Sequence, residues 1–259
     1  MEILGIDIGG SGIKAALVDT EKGALLTGRE RVETPRPSTP EQVMEAIEEV
    51  VGRFHYEGPV GCGFPGVIRE QVIRTAANLG EPWVGMHLSE RLEARLGMPA
   101  WTVNDADAAG IAEMAWGAGR GRRGVVILVT VGTGVGTALF TDGVLLPNTE
   151  LGHIRMLNKE TKAVEGAELT VSDAARKREE LKWPEWGRRL NRYLKYLDKL
   201  FWPECFIIGG GVARKLHKFE ESLKVPVEVV AAELGNCAGI AGAALAAQRS
   251  TLRARAGAR

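Results

Sequence analysis

Residues 126–146 read VILVTVGTGVGTALFTDGVLL: an apolar, β-branched run, a glycine turn, a second apolar run, Asp142-Gly143, and a third run. Runs of this kind, bounded by glycines and an Asp-Gly dipeptide, predict strand, turn, strand, turn, strand. Residues 3–26, ILGIDIGGSGIKAALVDTEKGALL, carry the same pattern. Gly9 aligns with Gly132 and Asp19 with Asp142. Gly23-Ala24-Leu25-Leu26 aligns with Gly143-Val144-Leu145-Leu146, with a short insertion before Gly23. This self-similarity predicts a duplicated hairpin unit, and hence two similar α/β domains facing each other across a cleft.

The remaining pattern fills in both halves. Residues 34–40, TPRPSTP, form a Pro-rich connection in which Ser38 or Thr39 can cap a helix and Pro40 suits its first turn. Val43, Ile47, Val50, Val51 and Phe54 give that helix an apolar stripe. Strands are expected at 59–64 and 100–103, a short hairpin through Val67-Ile68 and Val72-Ile73, and a helix at 88–96 ended by Gly97. A small-residue helix follows at 106–118. In the second half, helices are expected at 172–180 and 183–201. The latter has Trp186, Leu190, Tyr193, Leu194, Leu197 and Leu200 at helical spacing, a core or dimer-contact stripe rather than a base-stacking platform. A strand at 206–208 runs into Gly209-Gly210-Gly211, which opens a helix; a strand at 225–230 and a small-residue helix at 238–247 complete the pattern. Residues 158–168 read as featureless, and 249–259 as a basic, frayed tail. The expected domains are 1–108 together with 240–259, and 109–239.

Composition narrows the class. In 259 residues, 33 lysines and arginines balance 33 aspartates and glutamates, so no global basic field favours nucleic acid. Cys62, Cys205 and Cys237 are scattered, which argues against a disulfide framework and a Cys-rich zinc site and suits a reducing cytoplasm. The first strand starts at once, with no leader pattern and no apolar stretch of membrane length, so no membrane partner is expected.

The candidate chemistry lies at the turns. Glycine lets backbone N–H groups approach an anion without a Cβ in the way. Neither hairpin turn is a dinucleotide fingerprint, because a strand and not a helix follows Gly12, and neither fits the Walker pattern. Either turn alone also reads as an ordinary hairpin. Asn104-Asp105-Ala106-Asp107 stands between a strand end and a helix start, where open α/β sheets place ligands and where a helix dipole favours a carboxylate. Asp105 reads equally as a helix cap. Glu150 and His153 sit in a Gly-containing loop, as hydroxyl partners or as a plain loop pair. Asn78 and Trp83 read as a turn residue and a half-buried aromatic, or as site residues. Arg120, Arg122, Arg123, Lys14, Arg214 and Lys215 lie near the glycine turns in sequence, as a track for a long polyanion or as solvated surface.

Taken together, Asp7-Ile8-Gly9-Gly10-Ser11, Asn104-Asp105, Gly132-Thr133-Gly134, Glu150-Leu151-Gly152-His153 and Gly209-Gly210-Gly211 resemble the ROK sugar kinases of the actin-like ATPase superfamily. The resemblance runs from Leu4 to Ala247. Within that family it is closer to the polyphosphate glucokinases, through GIDIGGSGIKAALVD, TAANL, NDADAAGIAEM, ALFTDGVLLPNTELGH, WGRRLNRYLKYLDKLFWPECFIIGGGV and AGIAGAAL. It implies duplicated actin-like (ribonuclease H-like) domains, each a mixed sheet with helices on both faces. It implies a cytoplasmic, homodimeric glycolytic enzyme that moves a phosphoryl group from polyphosphate, with ATP as a second candidate donor, to the glucose 6-hydroxyl. Asp105 is then the general base. Asn78, Asn104, Glu150, His153, Glu168 and Gly66 would bind the sugar. Asp7, Gly9, Gly10, Ser11, Gly12, Lys14, Gly132, Thr133, Gly134, Gly209, Gly210 and Gly211 would bind the phosphate donor, with Asp7 holding Mg²⁺ through water. Residues 154–168 contain no cysteine, so the zinc motif of many relatives is not expected. Only Met1 and Glu2 precede the first strand, so the helix-turn-helix of ROK repressors is not expected either. An ATP-only hexose kinase, a sugar-sensing protein without turnover and an actin-like filament protein are the competing readings.

Overall fold

The computed structural model describes residues 1–76, 79–157 and 162–257. The first half contains β1 (Glu2–Gly9), β2 (Gly12–Asp19), β3 (Ala24–Leu25), β4 (Glu30–Val32), α1 (Pro40–Val51), β5 (Val60–Phe64), β6 (Ile68–Arg69), β7 (Val72–Ile73), α2 (Leu88–Leu96), β8 (Ala100–Asn104) and α3 (Asp105–Trp116). The second contains β9 (Val125–Val131), β10 (Val135–Thr141), β11 (Val144–Leu146), β12 (Arg155–Leu157), β13 (Val164–Gly166), α4 (Glu168–Val171), α5 (Asp173–Arg178), α6 (Trp183–Phe201), β14 (Cys205–Gly210) and β15 (Glu228–Ala231). Helix α7 (Ala238–Gly257) ends the described chain.

Two compact units result: Met1–Trp116 with Cys237–Arg259, and Gly117–Asn236. The boundary expected after residue 108 falls inside α3, which is continuous and packs along α7, so it shifts to the end of that helix. The expected frayed tail is also different. Helix α7 runs on through Gly257, because alanine, arginine and leucine are strong helix formers.

Each unit holds one mixed sheet, and the two share a plan. The orders are β3-β2-β1-β5-β8 and β11-β10-β9-β14-β15, with β4 also pairing β2. An antiparallel hairpin leads, then two parallel strands follow. The hairpins differ at the tip by one residue. Ile8 pairs with Ile13, while Val131 pairs with Val135 and not with Gly136, the residue the ungapped self-alignment selects. Because strand side chains alternate faces, a one-residue slip changes which side chains flank the two turns.

In the first unit, Leu4, Ile6 and Ile8 of β1 bury against Val43, Ile47 and Val50 of α1. Full burial of each such side chain stabilises by about 1.5–3 kcal/mol. Thr39 caps α1 by accepting from the Gln42 N–H, with Pro40 behind it. Trp83, expected half-buried, is fully buried; its ring is tilted against that of Phe64 with centroids 5.2 Å apart, and its indole N–H donates to the Ser38 carbonyl. The other face of this sheet receives α7 at very short range. A side-chain carbon at Gly61 would lie 1.9 Å from the Ala243 carbonyl oxygen, and one at Gly242 1.6 Å from that of Ala108. The run AGIAGAAL is therefore a close packing surface: a side chain at Gly242 would meet the Ala108 backbone, and one at Gly239 the Asp7 side chain.

In the second unit, Ile127 and Val129 of β9 and Phe206 and Ile208 of β14 pack against Trp186, Leu190, Tyr193, Leu194 and Leu197 of α6. The stripe predicted for this helix is core except at Leu200. Tyr196, Leu200 and the adjoining Trp202 stay exposed, the last at 81%. β13 falls inside the 158–168 stretch expected to be featureless, with β12 just before that stretch and α4 starting at its last residue.

Candidate active site

In the first unit, β1, β5 and β8 run parallel, so their carboxyl ends share one edge. Asp7 is near the end of β1, Gly66 just beyond β5, Asn104 ends β8 and Asp105 opens α3. Asp7 registers with Gly63, and a side-chain carbon at Gly63 would lie 3.7 Å from the Asp105 Cα. Asp7 and Asp105 thus flank a position that carries no side chain.

Asn104, one residue before Asp105, makes the capping bond of α3. Its Oδ1 accepts from the Asp107 N–H at 3.0 Å, which is the capping bond, and its Nδ2 donates to the Gly66 carbonyl at 3.1 Å. The cap is Asn104, buried, with two of its polar contacts spent inside the protein. Asp105 stands one residue inside the helix, half-buried, with Oδ1 2.7 Å from the Ala106 N–H. Gly66 is fixed by its surroundings: a side-chain carbon there would meet the Thr75 carbonyl oxygen at 2.0 Å. Asn78 lies outside the described residues.

Asp7 Oδ2 accepts from the Lys14 ammonium at 3.1 Å, and the two are cross-strand partners with about a fifth of each side chain exposed. Their counterparts in the second hairpin by alignment and pairing are Thr130 and Gly136, so only the first turn carries an acid–lysine pair. Thr34 Oγ1 donates to the Gly9 carbonyl, and Arg31 Nη2 to that of Ser11, at 2.5 Å each. Sequence reasoning missed Arg31; it reaches the Gly10-Ser11 tip only because β4 pairs with β2.

In the second unit, Gly209 and Gly210 register with Thr130 and Val131, so the Gly209-Gly210-Gly211 and Gly132-Thr133-Gly134 turns lie side by side at one edge. Glu168 opens α4 against this edge: a side-chain carbon at Gly134 would meet its Oε2 at 2.8 Å. His153 joins the acids. Its Nδ1 is 3.5 Å from Glu150 and its Nε2 3.5 Å from Glu168. The turn Leu151–His153 lies flat on β10 because Gly152 has no side chain; a carbon there would sit 2.1 Å from the Val135 carbonyl oxygen. Thr137 Oγ1 anchors the loop by donating to the Thr149 carbonyl and accepting from the Leu151 N–H. Burial pushes the Glu150 carboxyl above its ordinary range; His153 opposes this and Glu168 adds to it. Three polar side chains therefore converge, as a hydroxyl-binding site requires.

The arginines expected beside the second turn are not there. Arg122 sits before β9, at the amino end of that strand, and grips Glu228 at 2.6 and 3.2 Å and the Ala118 carbonyl at 2.7 Å. The turn is at the far end of the seven-residue strand, about 3.3 Å per residue away. Arg122 is a structural ion pair. Arg214 and Lys215 do follow the Gly209 turn, exposed in a 3₁₀ helix. Among the described residues, no group of three or more His, Cys, Asp or Glu could hold a metal. None of the described helices is long and apolar enough to cross a membrane.

Duplicated hairpin-led mixed sheets, with glycine turns and carboxylates at their edges, define the class: the chain belongs to the ROK family, whose model matches residues 3–168. Three relatives sharpen this. The polyphosphate glucokinase of Mycobacterium tuberculosis (strain CDC 1551 / Oshkosh) is 42% identical over 95% of this chain and 91% of its own length. The crystal structure of an inorganic polyphosphate/ATP-glucomannokinase from Arthrobacter sp. strain KM superposes with TM-score 0.90 and 42% identity, covering 96% of this chain and 99% of that one. A ROK family glucokinase from Streptomyces griseus, solved with glucose and AMPPNP, gives TM-score 0.83 at 27% identity over 96% and 100% of the two chains.

Proposed function

We propose that this protein is a glucokinase that transfers a phosphoryl group from inorganic polyphosphate, and also from ATP, to the 6-hydroxyl of glucose. The observation that carries the reading is the near full-length likeness to a polyphosphate glucokinase and to a polyphosphate/ATP-glucomannokinase. The position of Asp105 supports it. Asp105 is the general base: as the sugar oxygen attacks phosphorus, its carboxylate takes the hydroxyl proton. Asn104 holds it there by capping α3 in its place. Glu150, His153 and Glu168 bind the ring hydroxyls, together with Asn78 and the Gly66 turn. A site that pairs each hydroxyl rejects epimers, because buried polar groups left unpaired are costly. The glycine turns of both units and Ser11, Lys14 and Thr133 bind donor phosphate.

Phosphoryl transfer also calls for a divalent cation, and the residues present fit Mg²⁺. That ion is commonly held by one or two carboxylates plus substrate phosphates and keeps several waters. Asp7, a half-buried carboxylate at a strand end, would hold it through water. When bound, it would neutralise charge on the transferring group. We place the enzyme in the cytoplasm as a homodimer.

Purified protein with glucose and Mg²⁺ is assayed in parallel with long-chain polyphosphate and with ATP, reading glucose 6-phosphate. Product from both donors is expected. Product from ATP alone rejects the polyphosphate donor, and glucose binding without product from either donor leaves a sugar sensor.

A further inference from the structure

Asp7, Lys14 and Arg31 are register partners across β1, β2 and β4, so their side chains share one face of the first sheet. Lys14 is tied to Asp7, and Arg31 is its neighbour on the outer side. Gly9 and Gly12, the last pair of the hairpin, supply no side chains on that face. The arginine lies directly on this bare floor: a side-chain carbon at Gly12 would meet its Nε at 2.5 Å. Beyond it a concavity of about 500 Å³ opens, lined by Gly10, Ser11, Arg31, Glu33, Thr34 and Arg36, with Pro35. Arg31 and Arg36 are both exposed there, against one acid, Glu33. The series runs outward from Asp7: lysine, arginine, then a second arginine, over glycine and hydroxyl.

Arg31 and Arg36 put two guanidinium groups on one concavity against a single carboxylate, an excess of positive charge that an anion lying there offsets. The lining has guanidinium, hydroxyl and backbone groups but no aromatic ring on which a nucleotide base could stack. The chemistry selects a flexible chain of phosphates. We propose that Arg31 and Arg36 form a distal subsite that holds the phosphates of a linear inorganic polyphosphate beyond those engaged at the Gly9–Gly12 turn. This inference rests on the donor reading above and adds to it a binding site for chain length. Arg31 and Arg36 then favour long polyphosphate, which has phosphates to spare for them, over short anions and ATP, which has only three. Lys14 is the inner end of the track and belongs to the transfer site itself.

The test uses full-length protein and three donors: tripolyphosphate, polyphosphate of several tens of residues, and ATP. In Arg36→Ala, and more strongly in Arg31→Ala with Arg36→Ala, the KM for long polyphosphate is expected to rise at least tenfold relative to that for ATP. Because Arg31 also donates to the Ser11 carbonyl, its loss could disturb the turn. Glu33→Gln covers that case, since it removes the only acid in the lining and should lower the KM for long polyphosphate, a gain that misfolding cannot produce. The salt dependence of long-chain binding should shrink by about 0.7 per arginine removed, the value for a single-stranded polyanion. Equal effects on all three donors, or no chain-length preference in the unaltered protein, overturn the subsite. If the unaltered enzyme makes no product from polyphosphate, the donor reading fails. Equilibrium binding of long polyphosphate to the unaltered protein and to Arg36→Ala then decides the subsite by itself: a loss on substitution supports it, and equal or absent binding rejects it.

Discussion

Asp105 and Asn104 are adjacent and chemically similar, yet they make different contacts. Asn104 reaches the Asp107 N–H and is the cap of α3, while Asp105 Oδ1 turns to the Ala106 N–H; the proposed base is Asp105. Asp105→Asn keeps size and polarity but cannot accept a proton. Its kcat should fall by about 10²–10⁴-fold, while glucose affinity measured by calorimetry stays within a few-fold. Near-normal turnover in that variant would remove Asp105 from the base role. Glu150 supplies a pH signature. Its raised pKa means that the neutral form persists to higher pH than for an ordinary carboxyl. As pH falls through that raised value, Glu150 gains a proton and loses acceptor strength toward a sugar hydroxyl. The KM for glucose should therefore rise on the acid side, starting above the usual carboxylate range. Glu150→Gln should abolish that limb, and a KM profile unchanged by the substitution would show that Glu150 does not bind the sugar.

At the scale of elements, short segments fix the site residues in place. Asn104→Ala removes the cap of α3, at about 0.5–2 kcal/mol. A protein of this size should lose roughly 2–4 °C in Tm per kcal/mol, and Asn104→Asp should recover most of that loss in a thermal melt. Gly152→Val would drive the 151–153 turn off the Val135 carbonyl. It should raise the KM for glucose through misplaced Glu150 and His153, and a KM equal to that of the unaltered enzyme would show that the turn is not held this way. These elements differ in how far the sequence announced them. The two hairpins, α1 and α6 were legible because their periodicity is strong and their turns carry Gly, Asp-Gly or Pro. The glycine turns and the 104–105 junction were legible for the same reason. Asn104 as the cap was not, since Asn and Asp are both good caps and the choice depends on one backbone step. The misreading of Arg122 and Arg123 came from treating nearness along the chain as nearness in space. A strand separates them from the turn that follows it. Arg31 showed the reverse, distant in sequence from Ser11 but brought against it by strand pairing.

At the scale of the molecule, Tyr196, Leu200 and Trp202 leave apolar surface exposed near the end of α6. We expect it to be the self-association surface. Leu200→Glu with Trp202→Glu should convert dimer to monomer in light scattering, and an unchanged mass would place the contact elsewhere. The last helix leads to a different consequence. The second unit is one continuous stretch, whereas the first is completed only by α7, whose Ile240, Ala243 and Gly242 lie against Gly5, Gly61 and Ala108. A ribosome must therefore make the whole second unit before the first can close. At roughly 5–20 residues per second, that delay is on the order of ten seconds. Through this interval the bare underside of β1 and β5 is open to whatever else in the cell binds unfinished sheets. In a stalled-chain protease assay, the unit made later should become resistant first, and the N-terminal strands should stay cleavable until the final helix emerges.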